Sequence, residues 1–116
     1  MLDNLSSEYI QKIWGDSPRP IDVYKFAKKI GIIVTEATLP NHVFSVITHK
    51  INTTPRIQIA IPNDEDIKKF SCAVAIGFFF QNKILKKENY QQIYFRSAKT
   101  MEEKIAHRFA VILLAK

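Results

Sequence analysis

Residues 69–80 read KFSCAVAIGFFF. Behind Lys69 no side chain in this stretch is charged, and apolar or small residues occupy every helical phase instead of recurring three and four apart. A helix of that kind has no face to offer water, so it must be covered on all sides and is expected at the centre of the fold. The apolar part, 70–80, is about half of the roughly twenty residues that a membrane-spanning helix requires, so its cover is expected to be protein. Pro62-Asn63-Asp64 opens the helix and puts acids into its first turn, where the macrodipole favours them, and the helix is expected to run to about Phe80. The rest of the chain has to supply the cover.

Upstream, the residue types become β-branched after Gly31: IIVTEA at 32–37, VFSVITH at 43–49 and RIQIAIP at 56–62. In the third run Ile57, Ile59 and Ile61 alternate with Arg56, Gln58 and Ala60, which predicts one buried face. The intervening LPNH and KINTTP carry Pro and Asn where turns need them. Three consecutive strands with short connections predict an antiparallel meander. Two helices precede them. The first is expected to be short, capped by Ser6 or Ser7, with Leu5, Tyr9, Ile13 and Trp14 as its apolar positions and Gly15 as its end. After the DSPRP linker, Asp22 begins the second, with Val23, Phe26, Ala27 and Ile30 inward and Gly31 closing it. Downstream, NKILKKENYQQIYFRS at 82–97 reads as a loop with a short strand at 93–95. A last helix, capped by Ser97 or Thr100, carries Met101, Ile105, Phe109, Ile112 and Leu113 as its core stripe. The expected fold class is α+β: two N-terminal helices, a three-stranded meander, a buried central helix and a C-terminal helix, in a single domain over 1–116.

A chain of 116 residues with 47% hydrophobic and 24% charged residues is of ordinary globular composition, which excludes disordered and fibrous classes. Its one cysteine, Cys72, lies in the apolar run and reads as a small buried hydrophobe; no intrachain disulfide is possible, which suits a reducing compartment. The N-terminal residues lack the basic and apolar pattern of an export signal, so a cytoplasmic protein with no membrane association is expected. The net charge of +6 and pI near 9.5 raise nucleic acid as a partner. The lysines, however, are spread over Lys28-Lys29, Lys68-Lys69 and Lys83, Lys86, Lys87, and Asp64-Glu65-Asp66 interrupts them. No helix-turn-helix, zinc-finger or RNA-binding signature is present.

The order of elements and several short stretches resemble the ImmA/IrrE family of metallopeptidases. Pro20-Ile21-Asp22 with Phe26-Ala27 and Gly31-Ile32-Ile33-Val34 is similar to that family's opening helix and first strand, and Ile57-Gln58-Ile59-Ala60 to the strand before its metal helix. Lys69-Phe70-Ser71-Cys72-Ala73 followed by Gly77 is similar to the start of the metal helix. Glu103-Lys104-Ile105-Ala106-His107-Arg108-Phe109-Ala110 with Leu113-Leu114 is similar to the closing ExxANxFA…LL helix. The resemblance covers 20–116, leaving 1–19 as an N-terminal helix and linker. It implies a minimal zincin-like domain in which an HExxH motif binds zinc and activates water. Alignment on Phe70 and Gly77 puts Val74 and Phe78 at the two histidine positions and Ala75 at the glutamate. None of the three can donate a lone pair to a metal or take up a proton. Glu103 matches the third ligand, and His107 stands where the family has Asn. The resemblance thus implies a pseudo-peptidase with no catalytic residues, no metal and no cofactor.

Family members relieve repression by cutting helix-turn-helix repressors of mobile elements. A member without the motif is expected to act by protein contact, as a phage or mobile-element antirepressor or an inhibitor of a host regulatory or defence protein. The chain ends at Ala115-Lys116, where the family has Met-Pro, so a stand-alone core without an attached DNA-reading segment is expected. Two other readings come from the residues. One is nucleic-acid binding through Lys83, Lys86, Lys87, Arg96 and Lys99, in or beside one loop. The other is an enzyme with relocated chemistry at Glu103 and His107, spaced i, i+4 beside residues 90–96; at that spacing an ion pair or plain solvation is the ordinary outcome. His42 and His49 flank a strand expected at the sheet edge and read as surface residues.

Overall fold

A computed structural model describes residues 2–95 and 100–116. The order is α1 (Leu2–Trp14), α2 (Val23–Lys29), β1 (Ile33–Ala37), β2 (Val43–His49), β3 (Arg56–Ala60), α3 (Glu65–Ile84), β4 (Tyr90–Phe95) and α4 (Met101–Leu114). Each helix after the first begins where a side chain can satisfy the free N–H groups of its opening turn. The Asp22 carboxylate accepts from the Tyr24 and Lys25 amides, Asp64 from Ile67 and the Thr100 hydroxyl from Glu103. The first helix starts at Leu2, ahead of the expected serine caps, and ends at Gly15 with φ +63°. Its inward residues are Ile10 and Trp14, while Tyr9 is exposed. The Trp14 indole N–H donates to the carbonyls of Ser17 and Pro18 at 3.1 and 3.0 Å, pinning the linker.

The chain is α+β, but the sheet is mixed and four-stranded, in the order β1-β3-β2-β4. β1 runs parallel to β3, pairing Ile33 with Arg56 and Ala37 with Ala60, and does not touch β2 as a meander requires. β2 is antiparallel to β3 and to β4. Burial explains the correction. β2 buries Val43, Ser45, Val46 and Ile47, and β3 buries Ile57, Ile59 and Ala60, so these two take the centre. β1, with Ile33 and Glu36 exposed, is suited to an edge. The third strand stops at Ala60, and Ile61 turns outward instead of completing the buried face. The expected loop after α3 contains a full strand, six residues long, which forms the opposite edge.

The α3 helix lies against this sheet and under α4. Residues 71–79 are all buried. The Ser45 hydroxyl donates to the Ser71 carbonyl at 2.9 Å, tying β2 to α3. The Asn82 amide donates to the Phe78 carbonyl and to Gln92 Oε1, both at 2.8 Å, tying the far end of α3 to β4. Gly77 is where α4 crosses closest: a Cβ there would lie 2.9 Å from the Cα of Ala106. On α4, Phe109, Ala110 and Leu113 face the core, whereas Met101 is exposed and does not belong to the stripe. Among the described residues no helix is long and apolar enough to cross a membrane.

Candidate functional site

The three positions set against HExxH in the sequence resemblance lie in the middle of α3. Val74, Ala75 and Phe78 are at most 1% exposed and belong to the central apolar cluster. Phe79 is buried too, and Phe80 stacks obliquely on Phe109 at 5.4 Å, so the aromatic run leaves no bare ring as an interface. Cys72 is fully buried beside them, and loss of water pushes its thiol up to about 12, with the Asp22 charge adding to the shift. It stays a protonated thiol at neutral pH, with no nucleophilic character.

Glu103 and His107 are the chemically interesting pair, and they diverge. Thr100 caps α4 by accepting the Glu103 N–H at 3.1 Å, which turns the Glu103 side chain back toward the end of β4. There its Oε1 accepts from the Phe95 N–H at 3.2 Å, and its Oε2 is buried with no hydrogen-bond partner among the described residues. Glu103 is only 4% exposed, so plain solvation does not describe it. His107, a turn further on, is half-buried and sets its ring edge-on to Phe70 at 5.2 Å and to Tyr94 at 5.1 Å. Tyr94 in turn packs on Phe44 at 5.1 Å. Burial raises the Tyr94 phenol above its ordinary value, and the Glu103 carboxylate raises it further. Next to these rings lies a cavity of about 260 Å³ lined by Phe44, Asp66, Ile67, Phe70, Ser71 and Tyr94. Carboxylate, imidazole and phenol are therefore near one another, with the carboxylate held by the Phe95 backbone amide. Among the described residues no three of His, Cys, Asp and Glu converge as a metal site would need.

No protein-family model, no curated protein and no solved structure matches the chain. What it does must be argued from its own geometry.

The other histidines differ from expectation in one respect. His42 is exposed in the β1–β2 connection with φ +69°, as a surface residue. His49 ends a central strand, not an edge: its ring lies edge-on to Tyr90 at 5.8 Å, and its Nε2 lies 3.2 Å from the Thr53 carbonyl. Of the basic candidates, Lys83 is in the last turn of α3, and Lys86 and Lys87 follow the helix end, all exposed. Arg96 and Lys99 lie outside the described residues.

The aromatic cluster around His107 went unread in the sequence. Its signal is present in YQQIYF, where Tyr94 stands in aromatic and β-branched company beside Ile93 and Phe95. The charges of the preceding KILKKEN obscured it.

Proposed function

We propose that the chain is a catalytically silent binding domain acting by protein contact, as an antirepressor or an inhibitor of a host regulatory or defence protein, on a degenerate ImmA/IrrE-like scaffold. One observation carries the reading. Val74, Ala75 and Phe78 occupy the positions that match the ligands and base of a peptidase, and they are at most 1% exposed within the core. A site whose ligands are replaced by packed hydrocarbon has become part of what holds the fold together. Relocated acid–base chemistry gets little support, since Glu103 gives one oxygen to the Phe95 amide and His107 packs against rings.

The test is capture from nuclease-treated host lysate by the tagged chain, with mass spectrometry of what co-elutes. A regulatory or defence protein held in stoichiometric amount is the expected result. Recovery of no protein, or of material that vanishes with nuclease, overturns the reading. Added zinc is expected to leave the melting temperature where it is; ligand at about 100 times its dissociation constant adds roughly 2.7 kcal/mol, so a saturable rise of several degrees would refute the absence of a metal.

A further inference from the structure

We infer that the C-terminal end of α3 is the contact surface for this binding function, and that its partner is an acidic protein segment with apolar side chains beside its carboxylates. The inference rests on the protein-binding reading above and adds the place and the chemistry. Residues 83–87 are KILKK. Ile84 and Leu85 are 65% and 63% exposed, among the barest large apolar side chains of the described residues. The Ile51 N–H donates to Asn89 Oδ1 at 2.9 Å, which brings the β2–β3 loop and the half-exposed Ile51 to the neighbouring segment. One carboxylate, Glu88, interrupts an otherwise cationic stretch.

Ordinary helix chemistry accounts for part of this. Lysines near a helix C-terminus complement the macrodipole, which covers Lys83, Lys86 and Lys87. It does not explain why the residue that closes the helix carries a side chain. The Lys87 N–H donates to the Asn82 carbonyl at 2.9 Å and the Lys86 N–H to the Lys83 carbonyl at 3.1 Å, the double closure in which a left-handed residue, usually Gly, ends the helix. Here that residue is Lys86, at φ +58°. A side chain stands where glycine would relieve the backbone. Asn82 is meanwhile turned inward onto Phe78 and Gln92, so the end of the helix is fixed to β4 and its outward side chains are held on a rigid base. Rigid presentation lowers the ordering cost of association.

Cations interleaved with aliphatic side chains match a partner that offers both carboxylates and apolar groups. A phosphate backbone would leave Ile84 and Leu85 without a counterpart. A bilayer favours a long apolar face along a helix, and here two adjacent apolar residues stand between lysines at the helix end.

The test titrates the isotope-labelled full chain with a synthetic helical peptide of Glu, Ala and Leu and follows amide shifts by NMR. Parallel titrations use the same peptide with Lys for Glu, a DNA duplex and phosphatidylserine vesicles. Saturable shifts at 83–87 and Ile51 with the acidic peptide alone are expected. The pair Ile84→Ser with Leu85→Ser, and separately Lys86→Gly, should each weaken binding at least about fivefold, the scale of an interface residue that matters. Lys86→Gly should at the same time raise the melting temperature, which separates a lost contact from a damaged fold. Lys28→Ala, on the exposed side of α2, should change nothing. Shifts elsewhere, equal weakening by Lys28→Ala, tighter binding of duplex or vesicles, or no binding at all overturns the inference. If the Ile84→Ser, Leu85→Ser chain still captures a protein that the native chain captures from lysate, the surface is wrong and the binding reading stands; if the native chain captures none, that reading falls.

Discussion

A methyl group at position 77 would sit 2.9 Å from the Cα of Ala106 and 3.1 Å from its Cβ and carbonyl oxygen. Backbone cannot yield as a flexible side chain does, so α3 and α4 would have to part. Gly77→Ala gains about 1 kcal/mol in helix propensity and loses roughly 1–3 kcal/mol to overpacking, so a net loss on the order of 1 kcal/mol is expected in urea denaturation. A more stable variant would mean that the helices separate freely. The glycine was visible in the sequence as a lone small residue in an apolar helix, but its reason lies on another element. The same holds for Glu103, whose burial depends on where β4 ends, a fact that no spacing within α4 contains.

At the scale of elements, local chemistry was the most legible part. The Asp22, Asp64 and Thr100 caps, the Gly15 and Gly31 stops and the three β-branched runs all fall within a few residues of the observed boundaries. These features are decided by neighbours in the chain. Strand pairing is decided elsewhere, and adjacency in sequence wrongly suggested that β1 lies beside β2. The polar character of Thr35 and Glu36 was the available sign that β1 belongs on an edge. Thr100→Ala removes the acceptor of the Glu103 N–H and should cost about 1 kcal/mol by thermal or urea unfolding. Thr100→Ser should retain most of it. Equal losses for the two would mean that the methyl group, and not the hydroxyl, matters at this position.

For the molecule as a whole, burial of acidic protons makes high pH the vulnerable side. The Cys72 thiol is pushed up from 9.0 to about 12 and the Tyr90 phenol from 10.0 to about 12 by loss of water, and Tyr94 moves the same way by burial and by the Glu103 charge. In the unfolded chain these groups lose their protons near their ordinary values, while the native protein holds them. Unfolding therefore releases protons at alkaline pH. Their stabilising contribution is complete below about pH 9 and is lost as pH rises toward 12. Urea midpoints should begin to fall near pH 9, and in Cys72→Ala the decline should start about a unit later; midpoints level up to pH 11 would contradict the burial of these groups. The strand order also sets a sequence in time. β2 and β3 are consecutive and antiparallel, so a short loop closes them early. β1 comes earlier in the chain, yet its sheet partner is β3 alone, with the contact of 2.7 Å between Lys68 and Glu36 as its latch. Held on one side only, β1 opens more readily than the central strands when the native molecule breathes, so the amide hydrogens of 33–37 trade with water well before those shared by β2 and β3.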